Sequence, residues 1–109
     1  MKADIQQFEF FDPKLRIIGL WIEQETGVEF ISTSFYRIGD VGVHGQLPLR
    51  GLDLRCRLES MGKAIAAHIN EHWQYDPSRP ELKCAVIHGE GSNLHIHIQV
   101  HPNTIRRLL

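Results

Sequence analysis

Eight residues, Leu94-His95-Ile96-His97-Ile98-Gln99-Val100-His101, alternate apolar and polar without a break. A strand sends successive side chains to opposite faces. Leu94, Ile96, Ile98 and Val100 are therefore expected against a core, with His95, His97, Gln99 and His101 in one row on the other face. Neutral imidazole is a frequent metal ligand and a frequent acid or base. Three imidazoles and a carboxamide in one row make half of such a site, and the other half must come from elsewhere in the chain.

A zinc hydrolase usually takes three protein ligands, histidines and a carboxylate among them, and keeps a fourth position for water. Outside the last strand, the promising donors lie between Val43 and Arg55. His44 sits in a glycine-rich loop, and Asp53 sits in the short mixed segment that follows. Folding could bring both against a neighbouring strand.

Three pieces of the sequence resemble the metallopeptidases of the lysostaphin, D-Ala-D-Ala-peptidase and hedgehog type. Thr33-Ser34-Phe35-Tyr36-Arg37 is similar to their Thr-Ser-Gly-Tyr-Arg signature, with Phe35 in place of the glycine. His44 through Arg55 is similar to their His-loop-Gly-Arg-Ala-x-Asp-x-Arg segment, with a longer His-to-Asp spacing and Gly51 in place of alanine. His95-Ile96-His97 is similar to their terminal His-x-His. The pieces come in the family's order, and the resemblance runs from about Pro13 to His101. It is nearest to the small phage- or prophage-encoded members related to zinc D-Ala-D-Ala carboxypeptidases. The Glu-x-Trp-His ending of part of the family is absent.

The resemblance implies a zinc-dependent peptidase acting on peptidoglycan peptides, as a carboxypeptidase or an endolysin-like endopeptidase of the cell wall. It implies Zn2+ held by His44, Asp53 and His97. It makes His95 the catalytic partner of the metal-bound water and directs Arg37 to a substrate carboxylate or developing oxyanion. The chemistry is coherent. Zinc lowers the pKa of bound water to about 7, a neighbouring group must carry a proton to the leaving amine, and a guanidinium can pair bidentately with a carboxylate.

Two other classes fit parts of the pattern. His95-Ile96-His97-Ile98-Gln99 also resembles the His-x-His-x-Gln variant of the histidine-triad nucleotide hydrolases and transferases, in which a histidine attacks phosphorus. A phage structural module on the metallopeptidase fold, without catalysis, would account for the altered spacing. His68 and His72 stand four apart on one stretch, but Ile69-Asn70-Glu71 between them does not make His-Glu-x-x-His, so they read as two unrelated histidines of a helix face. Gln99 and His101 read as groove lining, and Trp73, Tyr75, Cys56 and Cys84 as packing residues.

Composition sets the frame. The 109 residues form one domain, 1–109, with 42% hydrophobic and 23% charged residues and a formal net charge of −1. These are the proportions of a globular domain. The charge gives no broad attraction to nucleic acid or anionic membrane. Two widely separated cysteines make no disulfide framework. No apolar run approaches the ~20 residues of a membrane span, and the N-terminus has no signal-peptide core. The expected location is the cytoplasm of a bacterial host, with release to the cell wall by phage machinery or carriage in a virion.

The elements that must hold the row can be placed in order. Asp12-Pro13 starts a helix that runs to about Glu25, and Gly27 ends it. Val28–Thr33 alternates as a strand. Residues 33–48 read as a loop, and Leu49–Leu58 as a strand. Glu59–His72 is the strongest helix, with Met61, Ile65 and Ile69 in its apolar stripe. Asp76-Pro77-Ser78-Arg79-Pro80 is a turn, and Lys83–His88 is a strand joined by Gly89–Asn93 to the histidine strand. A basic, apolar tail follows. The fold class predicted is α+β: a small antiparallel sheet with helices packed on one face and the histidine row on the open one.

Overall fold

The computed structural model describes residues 11–34 and 49–108. Residues 35–48 of the predicted loop, with His44 and Arg37, lie outside the described residues.

Helix α1 spans Pro13–Thr26. The Asp12 carboxylate accepts a hydrogen bond from Lys14 N at 2.8 Å, Pro13 fills the first turn, and Gly27 closes the helix in the left-handed region. Leu15, Ile18 and Ile22, spaced three and four apart, are its buried stripe. Strand β1 covers Ser32–Ser34, so the β-rich stretch before it enters the sheet later than its alternation implies. β2 covers Gly51–Arg55, a shorter span than the sequence pattern. Helix α2 covers Glu59–His72, β3 covers Trp73–Gln74 and β4 covers Ala85–His88. A 3-10 turn at Gly91–Asn93 leads into β5, His95–Gln99, and β6 follows at Ile105–Arg106.

Four strands form one antiparallel sheet in the order β1-β2-β5-β4. Leu52, Leu54, Ile96, Ile98 and Ala85 share one buried cluster with the inward residues of α1 and with Ile65, Ala66 and Ile69 of α2. The two helices therefore cover one face of the sheet, and the α+β class stands. Met61, expected in the α2 stripe, is exposed. Gly62 takes the inner position instead. A Cβ there would stand 2.8 Å from Ile87 Cδ1 and 2.9 Å from Cys56 Sγ, so the missing side chain lets α2 close on β4. Farther along α2, the Asn70 carboxamide accepts from Ala85 N at 2.9 Å and donates to Ala85 O at 2.8 Å. The two cysteines are buried and free, and burial pushes the Cys84 thiol up to about 12. Among the described residues, no helix is long and apolar enough to cross a membrane.

The basic tail forms structure that its composition does not announce. β6 pairs antiparallel with β3, Trp73 opposite Arg106 and Gln74 opposite Ile105. In the turn after β3 the buried Asp76 carboxylate accepts from Ser78 Oγ at 2.8 Å, Ser78 N at 3.0 Å and Arg79 Nε at 2.9 Å. Thr104 Oγ1 donates to Tyr75 O and accepts from His101 N, each at 2.8 Å, and so joins the two turns.

Two predictions follow from these turns. Gly89 has φ +81°, and a Cβ there would lie 2.2 Å from Asn93 O, whereas Gly91 has φ +56° and open space around it. Urea unfolding is expected to show Gly89→Ala destabilising by about 3 kcal/mol and Gly91→Ala by about 1 kcal/mol. The second concerns Asp76, whose hydrogen bonds from Ser78 and Arg79 hold its carboxyl at about 2, below its ordinary 3.8. A depressed folded pKa stabilises above the unfolded value, and the contribution is lost as pH falls through the folded one. Asp76→Asn is therefore expected to be less stable than the parent at neutral pH, with the difference shrinking from pH 3.8 towards 2. Denaturation curves across that range check it.

Candidate functional site

The register of β2 against β5 sets the site. Gly51, Leu52, Asp53, Leu54 and Arg55 stand opposite Gln99, Ile98, His97, Ile96 and His95. Directly opposed residues share a face, so Asp53, Arg55, His95, His97 and Gln99 all lie on the face away from the helices. β4 adds His88, opposite His95. Ile96 and Ile98 are fully buried while His95, His97 and Gln99 are half-buried, as the alternation requires.

Asp53 is 3% exposed despite its place on the open face. A buried carboxylate must be paired and hydrogen-bonded. His97 Nδ1 lies 2.8 Å from its Oδ1 across the strand boundary. The other ring nitrogen, Nε2, lies 3.2 Å from Gln99 Oε1. Gln99 Nε2 donates to Lys83 O at 3.0 Å, which fixes the carboxamide with its oxygen towards the histidine. A polar chain thus runs from the Lys83 carbonyl through Gln99 and His97 to Asp53.

His95 is set differently. Its Nδ1 lies 2.9 Å from Asn93 O. A carbonyl accepts only, so Nδ1 carries the hydrogen and Nε2 of the neutral ring carries the lone pair. The His88 ring stands 5.8 Å from that of His95 and 5.7 Å from that of His97. Three imidazoles therefore cluster here, with His88 rather than His101 beside His95 and His97. Alternation marks His88 only as a strand residue; the signal for its place is the short Gly89–Asn93 connection, which sets it opposite His95.

The structure joins Asp53 to His97 and puts His95 on their face. His101 leaves the row. β5 ends at Gln99, and the His101 ring turns to Tyr75, 5.6 Å between centroids, while its Nδ1 accepts from Asn103 N at 3.1 Å. Among the described residues, the three-residue group whose ligand atoms converge is instead His68, Glu71 and His72 of α2. Neither family models, nor curated proteins, nor solved structures give a match to this chain.

The Asp53–His97 contact should be measurable as coupling. A double-mutant cycle with Asp53→Asn and His97→Gln is expected to return about 1–3 kcal/mol by urea unfolding. A value near zero would mean that the two side chains do not act as a pair in solution.

Proposed function

We propose that the protein is a zinc-dependent peptidase acting on peptidoglycan peptides, with Asp53, His97 and His44 as metal ligands. The observation that carries this reading is the direct opposition of Asp53 and His97. Two positions 44 residues apart in the sequence, both marked by the resemblance, bring their side chains within 2.8 Å on the open sheet face. A carboxylate and imidazoles form a donor set that zinc takes, and the buried Asp53 is shaped for a cationic neighbour. His44 and Arg37 join on the strength of the sequence resemblance alone.

Zinc bound there supplies a water acidic enough to ionise near neutral pH. The chain's own residues do the rest. His95 holds its Nδ1 hydrogen on Asn93 O and so presents Nε2 to receive a proton and return it to the leaving amine. With zinc in place of the hydrogen on His97 Nδ1, the Nε2 hydrogen would stay on Gln99 Oε1, which Lys83 O holds in place. Arg37 is assigned to the substrate carboxylate or the developing oxyanion. Arg55, opposite His95, adds a cation to the same face.

Metal analysis of the purified protein and assay on muramyl pentapeptides and cross-linked peptides test the proposal together. Asp53→Ala and His97→Ala are expected to lose both zinc and turnover. His95→Gln is expected to keep zinc and lose about 100-fold or more in rate. Full turnover in metal-free protein, or in His97→Ala, would overturn the reading. Zinc retention without turnover on any cell-wall peptide would make the chain a non-catalytic relative. The His97–Gln99 contact favours one second reading, the histidine-triad nucleotide hydrolase. Chelator-resistant hydrolysis of nucleotide amidates would select it.

A further inference from the structure

A second constellation of donors lies on α2 and shares no residue with the sheet face. His68, Glu71 and His72 occupy helix positions i, i+3 and i+4, which are neighbours on one helical surface. One ligand atom from each comes within 4.8 Å of the others. His72 Nδ1 lies 3.0 Å from the His68 carbonyl oxygen. That carbonyl can only accept, so Nδ1 carries the hydrogen and Nε2 holds the lone pair. A metal-binding histidine is normally set in the same way, with its second ring nitrogen donating to a carbonyl or carboxylate.

A different helix supplies the surroundings. Glu25 of α1 reaches across and places Oε1 3.2 Å from His68 Nε2. The Trp21 indole stacks on the His68 ring at 5.2 Å with 12° between planes, and stands 5.1 Å from the His72 ring at 48°. The two imidazoles are themselves 4.5 Å apart. Both are therefore braced from the side by a rigid aromatic wall, while the exposed Glu71 leaves the cluster open to solvent.

We propose that His68, Glu71 and His72 form a binding site for a first-row transition-metal dication, with the Glu25 carboxylate bracing the His68 ring from α1. Two imidazoles with carboxylate oxygen suit zinc, nickel and copper(II) over magnesium or calcium, which prefer oxygen alone. Glu25 comes from α1 and the three donors from α2.

Trp21 reports on the site directly, because it touches both histidine rings and lies 6.1 Å from Trp73. Chelator-treated full-length protein is titrated with Ni2+ or Cu2+ while tryptophan fluorescence is followed, with Zn2+ as competitor. Saturable quenching, reversed by Zn2+, is expected. His68→Gln and His72→Gln should each raise the half-saturation concentration at least about tenfold through loss of one imidazole donor. His97→Gln should leave the titration unchanged, which separates this site from the one on the sheet. In the His97→Gln background, which lacks the sheet site, Zn2+ should raise the thermal midpoint, and adding His72→Gln should abolish that rise. Circular dichroism confirms that each variant is folded. Absent or unsaturable quenching would overturn the proposal. So would a titration unchanged in folded His68→Gln and His72→Gln, since the cluster would then be a packing arrangement of His68, Glu25 and Trp21.

Discussion

The register between β2 and β5 is the constraint on which the rest depends. Side chains alternate with a period of two, so a slip of one residue would move every member of a strand to the opposite face. In the observed register Leu52 and Leu54 meet Ile98 and Ile96 in the core, and Asp53 meets His97 outside it. The same pairing therefore builds the hydrophobic centre and the polar site. A slip would put a carboxylate and imidazoles against the helices, which costs several kcal/mol for each unpaired charge. The core defends the geometry of the site without any residue of the site contributing to the core.

The polar face is ordered in turn by contacts to backbone oxygens that cannot change role. Lys83 O fixes Gln99, Gln99 faces His97, and Asn93 O fixes His95. The two histidines of one strand consequently differ. His97 is held between two side-chain acceptors, while His95 has one nitrogen committed and one available. Chemical division of labour between alternate residues of a strand arises here from what each ring meets at its edge, not from depth of burial.

Much of this was legible in the sequence, and for a physical reason. Helix α1 has a capping aspartate, a first-turn proline and a terminating glycine, so local chemistry bounds it; α2 is marked by a run of strong helix formers, although Leu58 at its start makes no side-chain cap. The histidine strand declared itself by strict alternation. What escaped was decided by tertiary pairing. The tail became a strand because Trp73 and Gln74 offered it an edge. Met61 lost its place in the core to Gly62 because α2 sits too close to β4 for a side chain between them. The His68–His72 pair read as incidental because its other contributors, Trp21 and Glu25, lie on another helix more than forty residues away. The opposition of Asp53 and His97 was an expectation resting on resemblance, and no local pattern could have supplied its distance.

The carboxamide of Asn70 has a consequence for how the molecule keeps to itself. β4 is the outer strand of the sheet, and outer strands offer unmatched N–H and C=O groups to any passing extended chain. At Ala85 both groups are already taken, by an amide with one donor and one acceptor in the same geometry that another strand would present. The helix thus lends the sheet a single false rung. It closes the ladder at the start of β4 with a side chain that cannot be extended into a further strand.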